Sequence, residues 1–337
     1  MPTAPSHANN YNLLRLCFAL AVIVSHSFAL LGYDEPVIWG RTLGAVSVHG
    51  FFILSGFLIT DSYIRRPSVV VFSMNRALRI VPALLVALAL SKIAWNLCDG
   101  FKSNPVPYIA NGPIWTLTWE VICYSLVVLL GLVGVLTSAN IPVVFFVGWV
   151  LYLLNLHDPS PTYAAIVPMF MMFLSGMFIR VARERVNLYA FVAPSIALLT
   201  IASSATVSGW LLSFVRENIV FLWGPHVSDL NVRNIVYLAM FPFAVSFVGG
   251  AARPLAMFKD DISYGIYVFG WPVSQTIIYI SQKHNWRMDV PVLLAATLVI
   301  VIPVSWASWR LIEKPFLSLK RKAPVPAAAQ QSPAVTP

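Results

Sequence analysis

The chain has 337 residues, 58% of them hydrophobic and 10% charged, with a mean hydropathy of +0.77. A soluble domain carries about 25% charged residues, so the composition excludes a soluble globular protein and points to an all-α, polytopic membrane bundle. The net charge of +9 would suit a nucleic-acid partner only in a soluble chain.

Residues 1–12 are polar and contain no Lys or Arg, so the first apolar run lacks the basic leader of a cleaved signal peptide. Apolar runs then predict ten helices over 13–31, 44–62, 77–97, 116–136, 140–156, 163–181, 189–209, 234–250, 262–281 and 290–312. The stretch 210–233 is expected to face outward, which leaves its His226 and Asp229 too exposed for catalysis or ligation. Residues 13–316 form one membrane domain, and 317–337 a basic, then Pro/Ala-rich tail expected to be disordered. No soluble domain is expected beside the bundle. The chain shows no internal repeat. Cys17, Cys98 and Cys123 have neither a disulfide framework nor metal-ligand spacing, so no metal is expected.

Charge orients the helices. With a cytoplasmic N-terminus, inner loops and tail hold fourteen Lys and Arg residues and outer loops hold six. The positive-inside rule then places both termini in the cytoplasm. Topology and anionic lipid head groups account for the excess basic charge, and a nucleic-acid partner drops out.

Ionisable residues inside the hydrocarbon are costly and usually face a bundle interior. Counting about 1.5 Å per residue puts His26, His49 and Glu120 in one layer a little below the outer surface. Arg15, Arg76, Arg79, Arg310 and Lys314 fall in an inner, cationic layer. Arg15 and His26 lie eleven positions apart on nearly the same helix face, about 16 Å along the axis. Plainer readings stand beside these. The arginines can snorkel to phospholipid, and His49 can be a packing residue. Ser55 and Gly56 of "ILSGFLIT" read as small residues for close helix contact. Glu120 is harder to dismiss, because no cation neighbours it in sequence.

A histidine–carboxylate pair suits proton abstraction from a hydroxyl, and an arginine cluster suits a phosphorylated molecule. A long donor with phosphates at one end and a reactive group at the other spans both layers, as acyl-coenzyme A does. A transporter or flippase of a phosphorylated or lipid-linked substrate, with His and Glu as a proton relay, is the rival reading, and a non-catalytic scaffold the third. The repeated halves common in transporters are not apparent.

Six segments in order resemble the acyltransferase-3 family of integral membrane O-acyltransferases. They are the Arg15–His26 helix, "GFFILSGFLI" from Gly50, "NRALRIVPALL" with Arg76, Arg79 and Pro82, "WTLTWE" ending at Glu120, "SYGIYVFGWPV" from Ser263, and "WRLIEKPF" from Trp309. The resemblance runs from residue 12 to 316. It implies transfer of an acyl group, often acetyl, from cytoplasmic acyl-CoA to a sugar or glycolipid hydroxyl at the outer side of a bacterial inner membrane. It assigns His26 and Glu120 to catalysis, with His26 as general base, and Arg15, Arg76 and Arg79 to the donor. Direct transfer and a covalent acyl-histidine route both stay open. His49, Trp115, Tyr264 and Trp271 are candidates for an acceptor groove or for support. Acyl-CoA is expected as a substrate with no permanently bound cofactor, and membrane lipids and a carbohydrate acceptor as partners; a homodimer stays open. Many relatives have a His where this chain has Gly270, and His49 is a candidate replacement.

Overall fold

The computed structural model describes residues 10–137, 139–154, 160–183, 187–204, 206–207, 209–210, 213–214, 229–250 and 260–319. His226, the side chain of Asp229, most of the 210–233 stretch and the tail from 320 lie outside the described residues. The chain is helical: α1 (Tyr11–Ala29), α2 (Leu43–Arg65), α3 (Val69–Leu97), α4 (Ile114–Leu132), α5 (Ile141–Leu154), α6 (Pro161–Ala182), α7 (Val192–Ala202), α8 (Asp229–Gly250), α9 (Ser263–Lys283) and α10 (Val290–Ser308). A π-helical turn, Trp309–Glu313, leads from α10 into the short α11 (Lys314–Ser318).

Six of these qualify as membrane spans by length and composition among the described residues: α1, α2, α3, α4, α6 from Thr162, and α10 continued to Ser318. α5 and α7 have 14 and 11 residues, about 21 and 16 Å of helix against about 30 Å of hydrocarbon. α9 is long enough at 21 residues but more polar. Its Ser263, Ser274, Gln275 and Ser281 are all buried in protein, so it behaves as a central helix.

Local sequence explains the helix starts. Thr42, Ser68, Ser160 and Asp289 accept from backbone N–H groups three residues on, capping α2, α3, α6 and α10. Between α1 and α2 a two-residue hairpin pairs β1 (Val37–Ile38) with β2 (Arg41–Thr42). Its turn residues Trp39 and Gly40 both have positive φ, as the twist of such a hairpin requires.

α2 lies at the centre. Gly56 faces the Phe173 carbonyl of α6 and Gly176 faces the Ile53 carbonyl of α2, so closely that a Cβ at either would collide with backbone. Close approach of this kind is the usual role of small residues in membrane bundles. α1 runs between α2 and α9. A Cβ on Gly270 would come within 2.9 Å of Ile23 Cγ1, so the position where relatives of the resembled family place a His is filled here by α1 itself. On the side away from α9, Asp61 of α2 pairs with Arg180 of α6 and, at 2.9 Å, with Arg65.

The connection between α3 and α4 folds back into the bundle. Pro272 of α9 has no N–H, which releases the Val268 carbonyl from the helix ladder. Asn111 Nδ2 donates to that carbonyl at 2.9 Å. Asn104 Nδ2 donates to Gln275 Oε1 at 2.6 Å, and Gln275 Nε2 donates to the Val106 carbonyl at 2.8 Å. The segment 104–111 is therefore latched onto α9, and α4 begins deeper in the bundle than its place in the sequence suggests.

Candidate active site

A cavity opens where α1, α2, α3, α4 and α9 meet. Helical periodicity aims one stripe from each at it. α2 supplies Val48, Phe51, Phe52, Ser55 and Ile59; α4 supplies Thr116, Leu117, Glu120 and Tyr124; α9 supplies Ser263, Tyr264 and Tyr267. Arg15 enters from α1, and Arg76 and Arg79 from α3, with Ile80 beside them.

The three arginines expected to hold the donor thus share one cavity, but their charge is disposed unequally. Asp261, just before α9, takes Arg15 Nη1 at 3.1 Å and Arg79 Nη2 on the same Oδ2 oxygen. Its other oxygen accepts from Ser263 Oγ at 2.5 Å. Burial works to raise the Asp261 carboxyl; the Arg79 and Arg15 guanidiniums and the Ser263 hydroxyl outweigh it and hold the group well below the usual carboxylate range. Arg76 has no carboxylate partner among the described residues. Its guanidinium lies 5.6 Å from the Phe72 ring centre, and its buried Nε makes no hydrogen bond.

Glu120 stands in this arginine cavity, where Ser55 Oγ donates to it at 3.0 Å and Tyr124 donates through its hydroxyl. The layer counted from sequence placed it with His26. Among the described residues no hydrogen bond joins the two. Depth counting assumes that each helix starts at the membrane surface, and the inward fold of the α3–α4 connection breaks that assumption for α4. Thr116, one turn before Glu120, already bonds Tyr267 at 2.6 Å.

His26 is half-buried beyond the end of the cavity away from the arginines, its ring 4.9 Å from Trp271 and edge-on to it. Trp271 is 8% exposed and donates through Nε1 to the Ile109 carbonyl at 3.0 Å, so the latched loop fixes the ring against His26. Tyr267, one turn before Trp271 on α9, lines the cavity, which puts His26 about one turn past its wall.

His49 turns to the other side of α2. Its Nδ1 lies 3.0 Å from the Tyr237 hydroxyl of α8, and Arg41 covers the Tyr237 ring at 5.1 Å. The third member of the expected outer layer is therefore a buried packing and hydrogen-bonding residue apart from the cavity. Tyr264 lines the cavity; Trp115 does not, and is 49% exposed. Of "SG" in α2, Gly56 alone makes the close contact with α6, while Ser55 serves Glu120. Arg310 and Lys314, also expected in the inner layer, lie 3.8 and 3.7 Å from Asp260. Sequence reasoning missed Asp261 and Tyr124. Tyr124 was legible as the i+4 neighbour of Glu120, whereas Asp261 sits among loop residues where no periodicity marks it.

The family described as an acyltransferase domain matches residues 9–310. The chain is similar to nodulation protein 10 of Rhizobium leguminosarum bv. viciae, 27% identical over 93% of this chain and 94% of that protein. It is also similar to an O-acetyl transferase of Shigella phage Sf6, 26% identical over 92% of this chain and 96% of that protein. No solved structure matches it.

Proposed function

The chain belongs to this acyltransferase family, and from that premise we propose that it moves an acyl group, acetyl in the first instance, from cytoplasmic acyl-CoA to a sugar or glycolipid hydroxyl at the outer side of a bacterial inner membrane. The O-acetyl transferase among its relatives supports the reaction type. The observation that carries the donor assignment is the cavity in which Arg15, Arg76, Arg79 and Glu120 meet below His26.

In this reading the coenzyme A phosphates enter at the arginines, with Arg76 as the guanidinium free to take new charge. The pantetheine arm runs along Phe51 and Tyr267 toward His26. His26 removes the proton from the acceptor hydroxyl; the new O–C bond forms, the C–S bond breaks, and the departing coenzyme A thiolate receives the proton. Trp271 holds the imidazole edge-on. Glu120 acts inside the donor cavity, balancing the arginine charge, rather than by direct contact with the imidazole. Ten spans and cytoplasmic termini, as charge placement suggests, put the arginine end of the cavity inward.

The test is transfer by purified full-length protein in lipid nanodiscs, followed as thiol release from acetyl-CoA in the presence of envelope glycolipid. His26→Ala should lower kcat by about 10²–10⁴, the usual range for a general base, while coenzyme A binding persists. Full activity in that variant would remove His26 from the mechanism. Mass spectrometry of envelope glycans with and without the gene should show which acetyl-bearing species disappears.

A further inference from the structure

Among the described residues Asp261 is the one carboxylate that touches two of the three cavity arginines, yet it does not line the cavity. It is 6% exposed and grips the guanidiniums from behind the wall. Arg15 belongs to α1, Arg79 to α3 and Asp261 to the approach to α9, so a single oxygen ties three separate elements together. Each guanidinium carries five N–H donors in a rigid plane. The contact to Asp261 uses one nitrogen of each, Nη1 of Arg15 and Nη2 of Arg79, and leaves the remaining donors for other partners. Without that carboxylate two like charges of low solvent exposure would repel each other and separate.

The carboxylate is itself held. Ser263 donates to its second oxygen. The preceding residue, Asp260, accepts from Trp309 Nε1 at 3.0 Å and lies near Arg310 and Lys314. The adjacent carboxylates face different partners. Asp260 pins the segment to the π-helical turn, and Asp261 reaches from that pinned segment to the arginines.

We propose that Asp261 is a positioning residue for the phosphate end of the donor: it sets the spacing and orientation of Arg15 and Arg79, so that their free donors and the unpaired Arg76 converge on one phosphorylated group. This rests on reading the cavity as the coenzyme A site. Arg15 and Arg79 then act as a fixed fork, and Arg76 supplies the uncompensated charge.

Calorimetric titration of the full-length protein in nanodiscs with coenzyme A, and with pantetheine as the phosphate-free probe, separates the two ideas. If the wild type binds no coenzyme A, the donor reading itself fails. If it binds coenzyme A and not pantetheine, Asp261→Asn should weaken coenzyme A binding by about tenfold or more, the order expected when charge-assisted phosphate contacts lose their geometry. Asp261→Glu, which keeps the charge and lengthens the arm, should fall between them. In turnover the KM for acetyl-CoA should rise while kcat and the acceptor KM hold, a split that general loss of structure would not give. Should Asp261→Asn fail to fold, Asp261→Glu and Ser263→Ala carry the test against the exposed control Asp99→Asn. Coenzyme A affinity within twofold of wild type in every folded Asp261 and Ser263 variant overturns the proposal, as does tighter binding.

Discussion

Arg76 and Arg79 stand one turn apart on α3 and look interchangeable in sequence, but their surroundings give them different consequences when removed. Arg79 shares Asp261 with Arg15 at 24% side-chain exposure. Arg79→Gln leaves that carboxylate with one cation in place of two. Breaking a buried pair costs about 3–5 kcal/mol, and the residual exposure of Arg79 puts the expectation at or below the lower end. Arg76→Gln removes no ion pair, so it should leave thermal unfolding in detergent unchanged within error while lowering coenzyme A affinity. Equal stability losses in the two variants would contradict this division. The pH dependence has a definite sign. The folded Asp261 carboxyl lies below its unfolded value near 3.9, so its contribution to stability is complete above that pH. It is lost only in acid, as pH falls through the folded value. Unfolding temperatures of wild type and Arg79→Gln should therefore differ by a constant amount from neutral pH down to about 5 and converge below about 3.9.

At the scale of elements, the α3–α4 connection matters more than its loop-like sequence suggests. Gln275 of α9 is fully buried, and both ends of its amide are engaged: Oε1 accepts from Asn104, and Nε2 donates to the carbonyls of Val106 and Ile109. The Ile109 carbonyl also receives Trp271 Nε1, so the same latch that seats the loop seats the ring against His26. Gln275→Leu keeps roughly the volume but takes the Nε2 donor from the Val106 carbonyl and leaves Asn104 Nδ2 only the backbone carbonyl of residue 275; a polar group left unsatisfied in such a buried setting costs about 1–3 kcal/mol. Two effects should appear together: faster proteolysis within residues 99–112, and a fall in kcat that exceeds any change in donor KM, because His26 loses its support and the arginines do not. Slower turnover without a change in cleavage would separate the loop from the imidazole. The inward seat of this connection also explains why Glu120 stood out in the sequence as an ionisable residue inside an apolar helix but not as a member of the arginine cavity. Its type and its apolar helix are written in "WTLTWEVICYSL"; the depth at which α4 starts depends on a contact with α9 more than 160 positions away in sequence.

Over the whole molecule, properties that repeat along the chain were the readable ones. Apolar length gave a helix at each of the ten expected places, six of them long and apolar enough to span among the described residues; Gly56 makes the close helix contact its size suggested, whereas Ser55, read the same way, turns to Glu120. Three-body contacts were not readable: Asp261 between α1 and α3, or His49 turning to Tyr237 instead of joining His26. Orientation belongs to this scale too, because it depends on the sum of basic residues and on no single contact. Part of that sum is internally paired, since Arg65 and Arg180 both meet Asp61, but paired arginines still resist translocation and count toward topology. Two exposed loop positions discriminate. Lys102 lies in the α3–α4 connection and Arg66 in the α2–α3 connection. In a background with Cys17, Cys98 and Cys123 replaced by Ser, Lys102→Cys should react with a membrane-impermeant maleimide in intact spheroplasts. Arg66→Cys should react only after permeabilisation. The reverse pattern would invert the bundle and put the arginine cavity on the side without cytoplasmic acyl-CoA, so the donor assignment would fail with the topology.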